Sequence, residues 1–310
     1  MSPPKIDQPI LFIGMGRSGT TLLFAGYSAH PDLGWFSQYV HRFPRFTSVA
    51  LLSRLADVWP ASRAVAPPSG RAPSLIDRLR IMPSETAGDD YGVWGHCCGE
   101  EMANSFLIDV EPAVNSRNCL RSTVAGTLRF QGKSRFTGKL TGPPRIEYLS
   151  KIFPDALIIH VVRDPRAVVS SLLRAPFWRD TFRYTQPAWR GGLKDEDLAA
   201  WAEAGGTPAG LAAIEWRAVV GQARAEAARI APDRYREIRY EDFIAQPHEA
   251  LDGLFEFSRL SPSQKAHDFL DQRLDVKDFT VTWKERLNSA DIQAIGKIIG
   301  PAMGEFDHSF

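Results

Sequence analysis

The chain has 310 residues, of which 44% are hydrophobic and 24% charged, with a formal net charge of +1. Those values are ordinary for a globular protein with a sizeable core, and they exclude fibrous and disordered classes. A balance so near zero gives no general attraction to nucleic acid or to an anionic membrane surface, and leaves only a local basic pocket as a place for anions.

The first predicted element is a strand at 10–13, apolar and closed by a glycine turn. The apolar run there, 9–13, is too short for a signal-peptide core or a membrane span, so no integral membrane segment is expected. A helix is predicted over 20–29, opened by Thr20 and Thr21. "FPRFTSVALLSRLADVW" has helical spacing, and "PASRAVAPPSGRAP" reads as loop from its prolines. Residues 91–129 read as mostly helix with loops.

Further on, "IEYLSKIFPDALIIHVVRDP" predicts a helix ending near Pro154, then a β-branched apolar strand of the kind covered on both faces in a parallel sheet. "AVVSSLLR" follows as a helix. Residues 186–210, rich in Gly, Pro and Trp, read as a long loop or lid. "LAAIEWRAVVGQARAEAARI" carries an apolar stripe at helical spacing, and "YREIRYEDF" reads as a strand entering a helix near Asp242. Alternation of this kind predicts one α/β domain over 1–310, a three-layer sandwich with a central, mainly parallel sheet flanked by helices. Helical insertions are expected at about 40–130 and 176–210. Cys97, Cys98 and Cys119 have neither zinc-ligand spacing nor the density of a disulfide framework. They are expected as packed thiols in a reducing, cytoplasmic compartment, with no metal.

"GMGRSGTT" sits where ligands bind in such a sheet, at the turn from a strand's carboxyl end into a helix. Gly14, Gly16 and Gly19 allow close backbone approach, and Ser18, Thr20 and Thr21 add hydroxyl donors to the turn's N–H groups. A P-loop kinase needs a lysine at the helix start to neutralise β/γ-phosphate charge. Thr20 stands there instead, and the nearby cation is Arg17. Anion binding is therefore expected, and nucleotide triphosphate hydrolysis is not.

"RSGTTLL" resembles the first signature of the sulfotransferases that use 3′-phosphoadenosine 5′-phosphosulfate (PAPS), in the arginine form of the tyrosylprotein and many bacterial members. The second signature of that family, an arginine ending a buried strand with a serine eight residues on, is similar to Arg163 and Ser171 in "RDPRAVVSS". A cation and a hydroxyl near a helix start suit a dianion. The resemblance implies a P-loop-like fold in which Gly16, Arg17, Ser18, Gly19, Thr20 and Thr21 cradle the 5′-phosphosulfate. Arg163 and Ser171 would hold the 3′-phosphate. It further implies catalytic roles for Arg17 and for Lys139 of "GKLTGPP", a nucleotide contact for Tyr240 of "RYEDF", and a place near the nucleotide for Trp283 and Lys284. The product would be 3′-phosphoadenosine 5′-phosphate (PAP), and the acceptor a hydroxyl of a small molecule, lipid or carbohydrate.

The general base is harder to assign. Thr141 and Gln38 stand where two branches of the family place theirs, and His41 in "QYVHRF" resembles a histidine of the heparan sulfate 3-O-sulfotransferases. An imidazole suits the task chemically. Glu85, His96 and Glu100 are further candidates. The competing readings are a P-loop kinase or NTPase, which Thr20 opposes, and an inactive PAPS- or PAP-binding protein, which Arg17 and Lys139 oppose.

Overall fold

A computed structural model describes residues 6–54, 91–175, 178, 186–272 and 282–307. Among these, five strands form one sheet in the order β2-β3-β1-β4-β5: β1 Ile10–Gly14, β2 Leu33–Gly34, β3 Arg135–Thr141, β4 Leu157–Val162 and β5 Tyr235–Arg239. Every pairing is parallel. The nine principal helices are α1 Thr20–Tyr27, α2 Val114–Gln131, α3 Ile146–Ile152, α4 Pro165–Leu172, α5 Pro208–Ala227, α6 Tyr240–Ala245, α7 Pro247–Phe257, α8 Gln264–Asp271 and α9 Ser289–Ile299.

The apolar runs of β1 and β4 are buried at every position because helices cover both faces of the sheet. The two-residue period of β1 divides its side chains between the layers. Leu11 and Ile13 join a core with residues of α2 and α3, whereas Ile10 and Phe12 join one with α1, α7 and α8. A third cluster packs α4, α5 and α9 together beyond Val162 at the end of β4. The register sets Gly14 opposite Thr141, and Ile13 opposite His160. The carboxyl ends of β1, β3 and β4 therefore reach one rim, and their loops gather there.

The predicted α/β class and parallel sheet are observed, and four local readings change. Residues 186–210, read as loop or lid, contain a helix at Asp195–Glu203 and the start of α5. Three acids fill that helix's first turn, where they complement the helix dipole, and Thr207 caps α5 by accepting the Gly210 N–H at 3.1 Å. Neither the two-residue β2 nor β3 has a counterpart among the predicted strands. From the "FPRFTSVALLSRLADVW" stretch, residues 47–54 form a 3₁₀ helix; its remainder after 54, the "PASRAVAPPSGRAP" loop and Glu85 lie outside the described residues.

The fourth change concerns the cysteines. Cys97 and Cys119 are joined by a disulfide, not packed as thiols, and only Cys98 is a free thiol. The bond ties the helix Gly92–Cys98 to α2 across 22 residues of sequence, a closure worth about 3 kcal/mol against the unfolded chain. It also removes the ground for inferring a reducing compartment. No helix among the described residues is long and apolar enough to cross a membrane. No group of three or more His, Cys, Asp or Glu side chains among them could hold a metal ion.

Candidate active site

The turn after β1 is closed by a hydrogen bond from Ser18 N–H to Met15 O at 3.1 Å. Arg17 takes a left-handed conformation within it, φ 72°. Such a conformation costs an L side chain roughly 1–2 kcal/mol, so the sequence keeps an arginine where glycine would be easier. Gly19, also left-handed, is the N-cap of α1, which has no side-chain cap and no acid in its first turn. The start of the helix thus offers its first N–H groups and the positive end of its dipole toward the rim. Ser18 lies buried beside it, and its Oγ has no hydrogen-bond partner. A buried hydroxyl without a protein partner fits a site made to receive acceptor oxygens.

The second motif comes to the same place from the far half of the chain. Arg17 Nε donates to Ser171 Oγ at 2.9 Å, and Arg163 Nη1 donates to Arg17 O at 3.1 Å. Lys139, midway along β3, donates from Nζ to Thr21 Oγ1 at 3.0 Å. Tyr240 completes the group, with the Arg163 guanidinium 4.4 Å above its ring. A Cβ added to Gly19 would sit 2.1 Å from that ring, which shows how closely the turn rests on Tyr240.

The electrostatics match the geometry. Burial lowers the pKa of Arg163, Tyr240 and Glu241 act to raise it, and Arg17 acts to lower it further. Two guanidiniums this close repel one another, and an anion bound between them relieves that cost. The next residues of the motif do structural work. Asp164 caps α4 by accepting from Arg166 N–H at 2.8 Å and pairs with the Arg166 guanidinium, while Pro165 occupies the first helical turn. Asp164 N–H is held by Glu241, whose own pKa burial raises, and Arg163 O accepts from Trp216 Nε1 at 3.2 Å. Neither Glu241 nor Trp216 was singled out in the sequence: Glu241 stands inside "RYEDF", where only the tyrosine was given a role, and Trp216 belongs to no motif.

The remaining sequence candidates have other partners. His41 lies buried in the short helix Gln38–Arg42, its ring edge-on to Phe36, and its Nδ1 accepts the Val93 N–H at 3.2 Å. A neutral imidazole accepting at Nδ1 carries its proton on Nε2 and so presents a donor in place of a base. His96 and Glu100 are exposed at the helix Gly92–Cys98 and just beyond it. Trp283 lies under the Arg166 guanidinium, 4.5 Å from ring centre to charge, with Lys284 Nζ 5.8 Å from the same ring. Thr141 is buried at the end of β3, and its carbonyl accepts the Tyr91 hydroxyl.

Among solved structures, sulfotransferase STF9 from Mycobacterium avium superposes with a TM-score of 0.55 at 17% identity, over 98% of this chain and 78% of that one. The sulfotransferase domain from the curacin biosynthetic pathway gives 0.49 at 15% identity, over 95% and 98%. Mouse sulfotransferase SULT7A1, crystallised with PAP, gives 0.45 at 12%, over 98% and 91%. At these identities the first match speaks for the fold alone. No match was found among curated protein sequences. The model of a family described as the sulfotransferase family matches residues 9–263, and the chain belongs to that family.

Proposed function

We propose that the chain transfers the sulfuryl group of PAPS to a hydroxyl of a small-molecule, lipid or carbohydrate acceptor and releases PAP. The observation that carries this reading is the meeting of Arg17, Ser171 and Arg163 across about half the chain. Two cations just ahead of two helices, with the Ser171 hydroxyl near the far end of the second, suit a ligand with two separate anionic groups. The orphaned Ser18 hydroxyl and the uncapped start of α1 fit one of them.

In this proposal residues 16–21 hold the 5′-phosphosulfate, and Arg163 with Ser171 holds the 3′-phosphate beside Tyr240. PAPS supplies an activated sulfuryl group when bound. Sulfuryl transfer resembles loose phosphoryl transfer, in which the acceptor and leaving oxygens lie in line and the protein has little covalent work. The protein then acts by positioning and by neutralising charge on the leaving phosphate, the part assigned to Arg17 and Lys139. No metal is needed for that task, because both cations come from side chains. Thr20, buried at the start of α1, cannot replace the lysine on which a nucleoside-triphosphate site depends.

Titration calorimetry with PAP, ATP and GTP tests the ligand. PAP is expected to bind at least roughly 100-fold more tightly than either triphosphate, a difference of about 2.7 kcal/mol. Equal affinities would return the chain to the kinase reading. Transfer of radiolabelled sulfate from PAPS to a panel of alcohols and phenols separates an enzyme from an inactive binder.

His41 receives a different part from the one its sequence context suggested: it anchors the start of the helix Gly92–Cys98 through the Val93 N–H. His41→Asn keeps an acceptor at the same reach, and is expected to hold turnover within about threefold with the acidic limb of the pH–rate profile in place. Loss of that limb in the variant would restore the histidine as general base.

A further inference from the structure

Segment 186–192 runs across the rim beside β3 and is held at three points. The ring of Trp189 lies on Gly142, where an added Cβ would be 2.8 Å from it. Gly142 N–H in turn donates to Gly14 O at 2.9 Å, which places that ring next to the phosphate turn, just past the end of the strand that carries Lys139. Trp189 also stands edge-on to Trp178, with ring centroids 6.3 Å apart. Its neighbour Arg190 pairs through backbone with 104–106, giving N–H to Asn104 O at 2.9 Å and taking Phe106 N–H at 3.1 Å. The third hold is a single side chain. Glu215 of α5, 2% exposed, accepts the Ala188 N–H.

We infer that Glu215 is a positioning residue for the transfer reaction: by gripping Ala188 it sets Trp189 over the end of β3 and fixes the acceptor-side wall of the site. The next residue of the same helix is Trp216, which holds the carbonyl of Arg163. One turn of α5 thereby grips both the strand end that carries the 3′-phosphate candidate and the wall across from it. Nothing in the transfer chemistry otherwise explains an acid at this depth, since burial disfavours a carboxylate unless it is paired. Burial pushes the Glu215 carboxyl up to about 8, so at neutral pH it is uncharged. Oε1 accepts the amide, and Oε2 has no hydrogen-bond partner. A glutamine offers the same carbonyl without a charge, and an aspartate draws the oxygen back by one methylene.

The kinetic arm of the test rests on the sulfuryl-transfer reading, and the exchange arm does not. Wild type, Glu215→Gln, Glu215→Ala and Glu215→Asp are compared by amide hydrogen exchange over 186–192, by PAP calorimetry, and by steady-state transfer from PAPS to 2-naphthol as probe. Glu215→Ala and Glu215→Asp are expected to lose at least tenfold of the protection of 186–192 and to raise the 2-naphthol KM at least fivefold. PAP affinity should stay within threefold throughout, and Glu215→Gln should match wild type in all three measurements. Should Glu215→Ala fail to fold, Glu215→Asp decides. Unchanged protection in the Asp variant overturns the inference, as does a Gln variant as impaired as the others. Absence of PAP binding in wild type would sink the sulfuryl-transfer reading and leave the exchange result standing.

Discussion

Replacing Arg17 by glycine is expected to cut sulfuryl-transfer turnover by roughly 10²–10³-fold while leaving the fold at least as stable as wild type to within about 1 kcal/mol. The two halves of that expectation come from different properties of one residue. The backbone at Arg17 is left-handed, φ 72°, a conformation glycine adopts freely and arginine does not. Glycine therefore relieves strain in the folded state, offsetting its greater freedom in the unfolded chain. The side chain, by contrast, reaches Ser171 and stands beside Arg163 at the start of α1. If its charge serves the leaving phosphate, its loss appears in kcat at saturating PAPS more than in PAP affinity, because that charge develops in the transition state. Lys139→Met is expected to act on kcat in the same direction, and its donation to Thr21 is lost with it. Thermal melting and single-turnover transfer on the two variants make the comparison. An Arg17→Gly protein that turns over within tenfold of wild type would show that the strained arginine is kept for another reason.

How much of this was legible in the sequence depends on where each signal resides. β1, β4 and β5 were readable because each is a local run of apolar or alternating residues ending at a turn. β3 was not, since Arg135–Thr141 interrupts its pattern with Gly138 and Lys139. The glycine has a tertiary reason that no local pattern carries: a Cβ there would press on Phe136 and on Trp94. The turn between β1 and α1 was legible because a backbone turn is built from consecutive residues, and so leaves a contiguous motif. The partner motif at Arg163 and Ser171 was legible for the same reason, being one strand end and the helix that follows. What was hidden is whatever pairs a side chain with distant backbone. Glu215 with Ala188, Trp216 with Arg163 and His41 with Val93 are contacts of that sort. The disulfide between Cys97 and Cys119 was hidden likewise, because its spacing follows from how two helices pack and not from any ligand geometry. The helix Asp195–Glu203 is a different case. Its three leading acids were in view, but the density of Gly, Pro and Trp around them outweighed the signal.

Two glycines of the phosphate turn make the last expectation, because the same substitution should do different things at each. Gly19 is left-handed, φ 81°, and an added Cβ would lie 2.1 and 2.2 Å from atoms of the Tyr240 ring. Alanine there must bear the conformational cost and displace a ring that Arg163 covers at 4.4 Å. Together these come to about 3 kcal/mol, a fall in melting temperature of roughly 5 °C. Moving Tyr240 also moves Arg163, so PAP affinity should fall by about 10²-fold. At Gly16 the backbone is outside the left-handed region, and an added Cβ meets nothing within 4 Å. Gly16→Ala should therefore melt with wild type. Its PAP affinity should nonetheless fall at least tenfold, because in the proposed reading the open space at that α-carbon is where the phosphate group of the ligand approaches the turn. In a Tyr240→Ala background, Gly19→Ala should lower the melting temperature by less than it does in wild type, leaving only the backbone cost. The pair distinguishes a cradle from a mere connection between strand and helix. In a connecting turn, Gly19→Ala would still be destabilising, but Gly16→Ala would change neither melting nor PAP binding. Loss of binding at Gly16 with the fold intact requires a ligand at the turn.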